Sequence, residues 1–207
     1  MCFYPTNTKM AFITRLLKSN KLLLLLLLPA VPFWAAAEGI SALRSEAQLT
    51  HSGQLLVSSR FRTDLPDQLK QALRQGVPLH FTLSWQLTSP ALSAYKFKFD
   101  QLWGDNNTIQ YKLSFHPLTN RYRVSVGTFS TEYDSLDTAL RGIGAVAGWK
   151  VLAKGALADV SARDTKAEIR LLLSTAKLPK PFQINALTSQ NWRLDSGWHA
   201  LFVTQEP

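Results

Sequence analysis

Cysteine is almost missing: the 207 residues contain one, Cys2. A disulfide framework is therefore excluded, as are a thiolate metal site and a thiol nucleophile beyond that position. Acidic residues are the scarcer charge, 14 against 23 Lys and Arg, and charged residues together make up only 18%. That composition excludes a highly charged disordered chain. Catalytic signatures are also missing. The sequence contains no Gly-x-Ser-x-Gly, no phosphate-binding glycine loop, no His-x-His and no His-Glu-x-x-His. His51, His80, His116 and His199 are widely separated, and the carboxylates are dispersed. Ser93…Lys96 and Ser174…Lys177 have Ser-x-x-Lys spacing, but no Lys-Thr-Gly or Ser-Asp-Asn accompanies them. The sequence thus names no reaction and no cofactor.

One long apolar run is present, and it is N-terminal. Lys9, Arg15, Lys18 and Lys21 precede seven leucines, Leu22 to Leu28, and Ala35-Ala36-Ala37 precedes Glu38. A basic start, a short apolar stretch and small residues at −3 and −1 make a secretory signal, here residues 1–37 with cleavage after Ala37. Met10 is an alternative start, since Met1–Lys9 adds nothing a signal needs. The rival is an uncleaved anchor facing the periplasm from the inner membrane. Leu22–Ala37 is shorter than the roughly 20 apolar residues of a spanning helix and contains Pro29 and Pro32. The expected location is the periplasm, with membrane association only if the signal stays attached. Removing it leaves 19 basic and 14 acidic residues, a net charge of +5. That modest excess gives no case for nucleic acid.

Residues 38–207 read as a single β-rich domain. Val77, Leu79, Phe81, Leu83, Trp85 and Leu87 alternate with His80, Thr82, Ser84, Gln86 and Thr88, the pattern of a strand buried on one face. The alternation recurs over Tyr95–Asp100, Ile109–His116, Arg121–Val126 and Lys166–Leu173, with an early strand over Leu49–Phe61 and a late one over Trp198–Val203. About seven strands with close turns predict an antiparallel, sandwich-like or strongly curved sheet. Two short helices should pack on it. One is expected over Pro66–Gln75 with Asp64 as cap, the other from Asp134 or Ser135 to near Gly148.

Three blocks carry a resemblance. The first is Leu65-Pro66, Leu69, Ala72-Leu73 and Gly76-Val77-Pro78-Leu79. The second is Tyr111–Val124, reading YKLSFHPLTNRYRV. The third is Leu178-Pro179-Lys180-Pro181-Phe182-Gln183-Ile184-Asn185-Ala186-Leu187 with Trp192, Ser196 and Trp198. In this order they resemble the proteobacterial domain-of-unknown-function family 4390, whose members carry the label proline-rich signal peptide proteins. The resemblance implies an exported, mostly β domain and supplies no reaction. It also implies proximity to sensor histidine kinases of the nitrogen-regulation type, and hence a role in envelope signalling. Where the family has a Trp/Tyr-rich strand, this chain has Tyr95-Lys96-Phe97-Lys98-Phe99.

Two sets of residues are candidate binding groups. Lys96, Lys98, Lys112, Arg121 and Arg123 fall on the polar phase of three successive strands, and on neighbouring strands they would share one face with His116. Such a face suits an anionic lipid or glycan, or simply keeps the sheet soluble. The segment from Leu178 to Gln183 should be rigid and extended, because each proline fixes φ and biases the residue before it. Pro179, Pro181, Phe182 and Trp192 are thus candidates for docking a partner. Trp85 belongs to the core, while Trp103, Trp149, Trp192 and Trp198 should close strand ends. The expected function is a non-catalytic envelope protein that binds a protein partner, with the periplasmic region of a sensor kinase as the candidate partner. An anionic lipid or glycan module is the alternative, and an enzyme of unknown class the third.

Overall fold

Strict alternation in Leu55, Val57, Ser59, Phe61 and Thr63 puts all five side chains on one buried face, with Leu56, Ser58, Arg60 and Arg62 on the other. The same period places Leu79, Phe81, Leu83 and Trp85 inward from one strand, and Ala167, Ile169, Leu171 and Leu173 from another. Faces of this kind must meet another apolar layer, and two sheets do so. The computed structural model describes residues 39–89 and 108–207.

Ten strands run in chain order among the described residues: β1 Ile40–Leu49, β2 Leu55–Thr63, β3 Leu79–Ser89, β4 Thr108–His116, β5 Arg121–Val126, β6 Phe129–Tyr133, β7 Val146–Lys150, β8 Lys166–Leu173, β9 His199–Ala200 and β10 Phe202–Gln205. Sheet order is β10-β1-β2-β7 in one layer and β6-β5-β4-β3-β8-β9 in the other. The expected mainly β, two-layer architecture is therefore present. Neighbours pair antiparallel except β1 with β10, which run parallel from Glu46↔Phe202 to Leu49↔Gln205. Of the expected early strand Leu49–Phe61, only Leu55–Phe61 is strand, within β2. Thr50–Gln54 is a turn from β1, itself not expected, with the Gly53 N–H donating to Thr50 O at 2.9 Å. The expected late strand is two. The chain leaves the six-stranded sheet after β9 and joins the other as β10, with Leu201 buried at the corner. The expected strand over Tyr95–Asp100 lies outside the described residues.

Among the described residues three helices accompany the sheets, one more than expected: α1 Asp67–Arg74, α2 Leu136–Gly142 and α3 Lys180–Thr188. Pro66, not Asp64, occupies the N-cap of α1. Asp64 instead donates its N–H to Gly39 O and sets its carboxylate 3.5 Å from Arg62. Ser135 caps α2, accepting the Thr138 N–H at 3.2 Å. That helix ends at Gly142 rather than near Gly148, because the chain turns at Gly144 to form β7.

The prolines near 180 overturn the extended reading. A 3-10 turn, Thr175–Lys177, leads to Pro179 at the N-cap of α3, and Pro181 lies in its first turn. First-turn N–H groups have no helical partner, so a proline there removes nothing and its fixed φ already suits the helix.

Arg170 and Asp195 fasten the C-terminal segment to β8. The Arg170 Nε donates to Asp195 Oδ1 at 2.8 Å, and its Nη2 meets the other carboxylate oxygen. Arg170 and then the Gly197 N–H hold the Asp195 pKa below its ordinary value, against burial. Such a carboxylate stabilises the fold above its unfolded pKa, about 3.9, and that contribution is lost as pH falls through the lower folded value. Asp195→Asn should flatten the acid limb of a stability–pH curve below about pH 4. An unchanged acid limb in chemical denaturation would contradict this.

Candidate functional site

The outer face of the six-stranded sheet brings part of the expected basic set together. β4 and β5 are neighbours, with Lys112↔Ser125, Ser114↔Arg123 and His116↔Arg121 opposite one another. Lys112, Arg121 and Arg123 therefore share a face, whereas Lys96 and Lys98 lie outside the described residues. The two arginines are already engaged by the next strand. Arg123 Nη2 lies 2.6 Å from Glu132, and Arg121 Nη2 lies 2.7 Å from Asp134. Arg123 holds the Glu132 pKa down. Arg121 Nε and His116 Nε2 are buried without a hydrogen-bond partner.

Lys112 has other company. Its register partner across the β3–β4 pair is His80, and Lys177 arrives from the 3-10 turn to bond Gln110 Oε1. His80, Gln110, Lys112, Ser125 and Lys177 line a groove of about 560 Å³. β5 covers β4 only from Tyr111 to His116, which leaves the flank of Thr108–Gln110 beyond it. Burial lowers the His80 pKa, and the two lysines lower it further. Sequence reading missed His80 and Lys177 as members. The available signal was that His80 belongs to the polar phase of its strand. Lys177 follows β8 by only a few residues, but its return toward β4 depends on a turn with no strong sequence mark.

The proposed docking residues are distributed differently from expectation. Phe182 and Trp192 stack on one another, ring centroids 5.4 Å apart and planes at 40°. Trp192, in a second 3-10 turn at Gln190–Trp192, is buried, and its Nε1–H donates to Gln68 Oε1 at 2.7 Å. Those two rings therefore tie α3 to α1, while Pro179 and Pro181 set where α3 starts. The large apolar side chains that α3 leaves in water are Ile184, 63% exposed, and Leu187, 74% exposed. A recess of about 400 Å³ runs between α1 and α3, lined by Gln68, Gln71, Gln75, Asn185 and Trp192 among others.

Of the Ser-x-x-Lys spacings, Ser93…Lys96 lies outside the described residues. In the other, Ser174 heads the 3-10 turn and Lys177 is bonded to Gln110. Among the described residues, no three His, Cys, Asp or Glu side chains converge to hold a metal ion, and no helix is long and apolar enough to cross a membrane.

Residues 37–201 match a family described as a domain of unknown function, DUF4390. The chain belongs to the DUF4390 family. The match spans every element from β1 to β9, so the six-stranded sheet, α3 and the groove at Lys112 lie within it, while β10 follows it. No curated protein and no solved structure matches the chain.

Proposed function

We propose that this DUF4390 domain is a non-catalytic binding protein of the cell envelope, and that it meets a protein partner through the outer face of α3. The supporting observation is the pair Ile184 and Leu187. Three residues apart on a helix, they stand side by side, and both are mostly exposed. Ala186 and the Phe182–Trp192 stack hold the other side of the helix to the domain. The apolar pair is therefore presented on a preformed, anchored element, which lowers the ordering cost of binding. Burying it would recover about 25 cal/mol per Å² of apolar surface. The family match begins at residue 37, beside the expected cleavage after Ala37, which supports reading the preceding residues as an export signal. On this reading the domain acts in the periplasm. An uncleaved signal would instead hold it at the inner membrane. The periplasmic region of a sensor histidine kinase is the first partner to test.

The test is a photo-crosslinking amino acid placed at Ile184, at Leu187 and, as a control, at exposed Arg163, in the full chain in its native envelope. One discrete adduct is expected at the two α3 positions and absent at Arg163. Leu187→Asp should reduce the adduct formed from position 184 at least tenfold and change stability by less than about 0.5 kcal/mol. No adduct, or the same adducts at all three positions, would overturn the reading.

A second reading is favoured by a separate observation. The lysines and histidine at the β3–β4 groove suit an anionic ligand, and they share only Lys112 with the five basic residues expected from sequence.

A further inference from the structure

Carboxylates balance most of the outer face of the six-stranded sheet. Arg121 meets Asp134, Arg123 meets Glu132 and Arg170 meets Asp195. Glu168 accepts the Gln86 side-chain amide at 2.6 Å. The groove at His80, Lys112 and Lys177 is different, since among the described residues no carboxylate contributes to its lining. Among the described residues neither lysine has a carboxylate within ion-pair distance, and the polar partner of Lys177 is the neutral Gln110. Like charges gathered beside a low-dielectric wall repel, and a bound anion would relieve them all.

We propose that this groove binds a phosphate group, with Lys112 and Lys177 supplying charge and His80, Gln110 and Ser125 supplying polar contacts. The inference rests on the anionic-ligand reading and is independent of α3. Phosphate is favoured over a planar carboxylate because, among the described residues, the lining contains lysines and no arginine. An ammonium is a point charge with freely turning donors, whereas the rigid guanidinium fork is the group matched to carboxylate geometry. A phosphate monoester carries about −1.5 to −2 at pH 7, which the two lysines balance. The volume, about 560 Å³, is in the range that holds a small organic ligand. The ligand is therefore a small phosphate monoester, either free in solution or displayed as a lipid headgroup.

Binding should also report on His80. The charged groups facing it are Lys112 from β4 and Lys177 from the 3-10 turn, while the end of β8 contributes Leu172 and Ser174, which do not titrate. Both lysines disfavour its protonation, and a phosphate between them reverses that influence. The His80 pKa should rise on binding, so protonation of His80 favours binding as pH falls, against the loss of charge on the phosphate itself, whose second pKa is about 6.

The experiment titrates the protein at low salt with glycerol 3-phosphate and, separately, with vesicles of phosphatidylcholine containing phosphatidic acid. Saturable binding of glycerol 3-phosphate supports a free ligand, and binding of the vesicles alone supports a headgroup. In either case Lys112→Gln with Lys177→Gln should weaken binding at least tenfold, Arg121→Gln with Arg123→Gln should change it less than twofold, and with His80→Asn affinity should fall more steeply as pH drops from 8 to 6 than in the wild type. An NMR titration of the His80 ring should show the upward shift directly. Binding lost with the arginine pair but kept without the lysines would overturn this groove and leave the anionic-ligand reading standing. No binding of either probe would overturn both.

Discussion

Trp192→Ala should destabilise the domain by about 3–5 kcal/mol, the usual cost of truncating a buried tryptophan. For a domain of this size each kcal/mol lowers Tm by about 2–4 °C, so the melting point should drop by roughly 6–20 °C. Two losses combine. The ring packs on Phe182, and its Nε1–H is the partner of Gln68 on α1. Removing it opens a cavity between α1 and α3 and leaves the Gln68 carbonyl oxygen without that donor. Leu187→Ser, one helix away and exposed, should stay within about 0.5 kcal/mol. The pair separates scaffold from surface. Trp192 should register in thermal denaturation and Leu187 in partner capture. The reverse pattern would make Trp192 a binding anchor and refute its structural assignment.

Gly144→Ala should be nearly as damaging, at about 2–5 kcal/mol. Gly144 has φ +73°, a conformation that costs a side-chain-bearing residue roughly 1–2 kcal/mol. An added Cβ would also lie 2.8 Å from Leu171 Cδ2 and 2.9 Å from Phe61 Cδ2, one from each sheet. The backbone there is committed as well. Its carbonyl accepts the buried Ser59 hydroxyl at 3.0 Å, and its amide bonds the Tyr111 phenol, whose pKa burial pushes up to about 12. Gly76→Ala is the control, with φ +88° and open space around it. The difference between the two variants in denaturant midpoint isolates the packing contribution. Equal midpoints would show that the sheets give way freely at Gly144.

The elements that sequence made legible are those where period and punctuation agree. β3 alternates over its whole length, the β4–β5 hairpin turns at Asn120 with φ 53°, and α1 stops just before Gly76. β1 was less legible because its register shifts between Ala42 and Arg44, which interrupts the alternation. β6 and β7 are five-residue edge strands with little buried surface to impose a pattern. The prolines of α3 misled because the same fixed φ serves an extended segment and a helix start. The site was harder still. Lys112, Arg121 and Arg123 share one face, but their charges differ in availability because β6, which the sequence pattern does not mark, delivers Glu132. His80 and Lys177 meet only through the β3–β4 register and a turn after β8.

The parallel pairing of β1 with β10 has a kinetic meaning. The first strand of the domain finds one of its two neighbours in the last few residues of the chain. A hairpin such as β1–β2 closes a short loop, but this pair closes a loop of nearly the whole domain. Contacts that distant in sequence slow folding, since the closure entropy is lost before the contact can offset it. Until β10 docks, β1 carries one bare edge, and that row of free N–H and C=O groups can template pairing with a foreign strand. Losing β10 would leave that edge of β1 open.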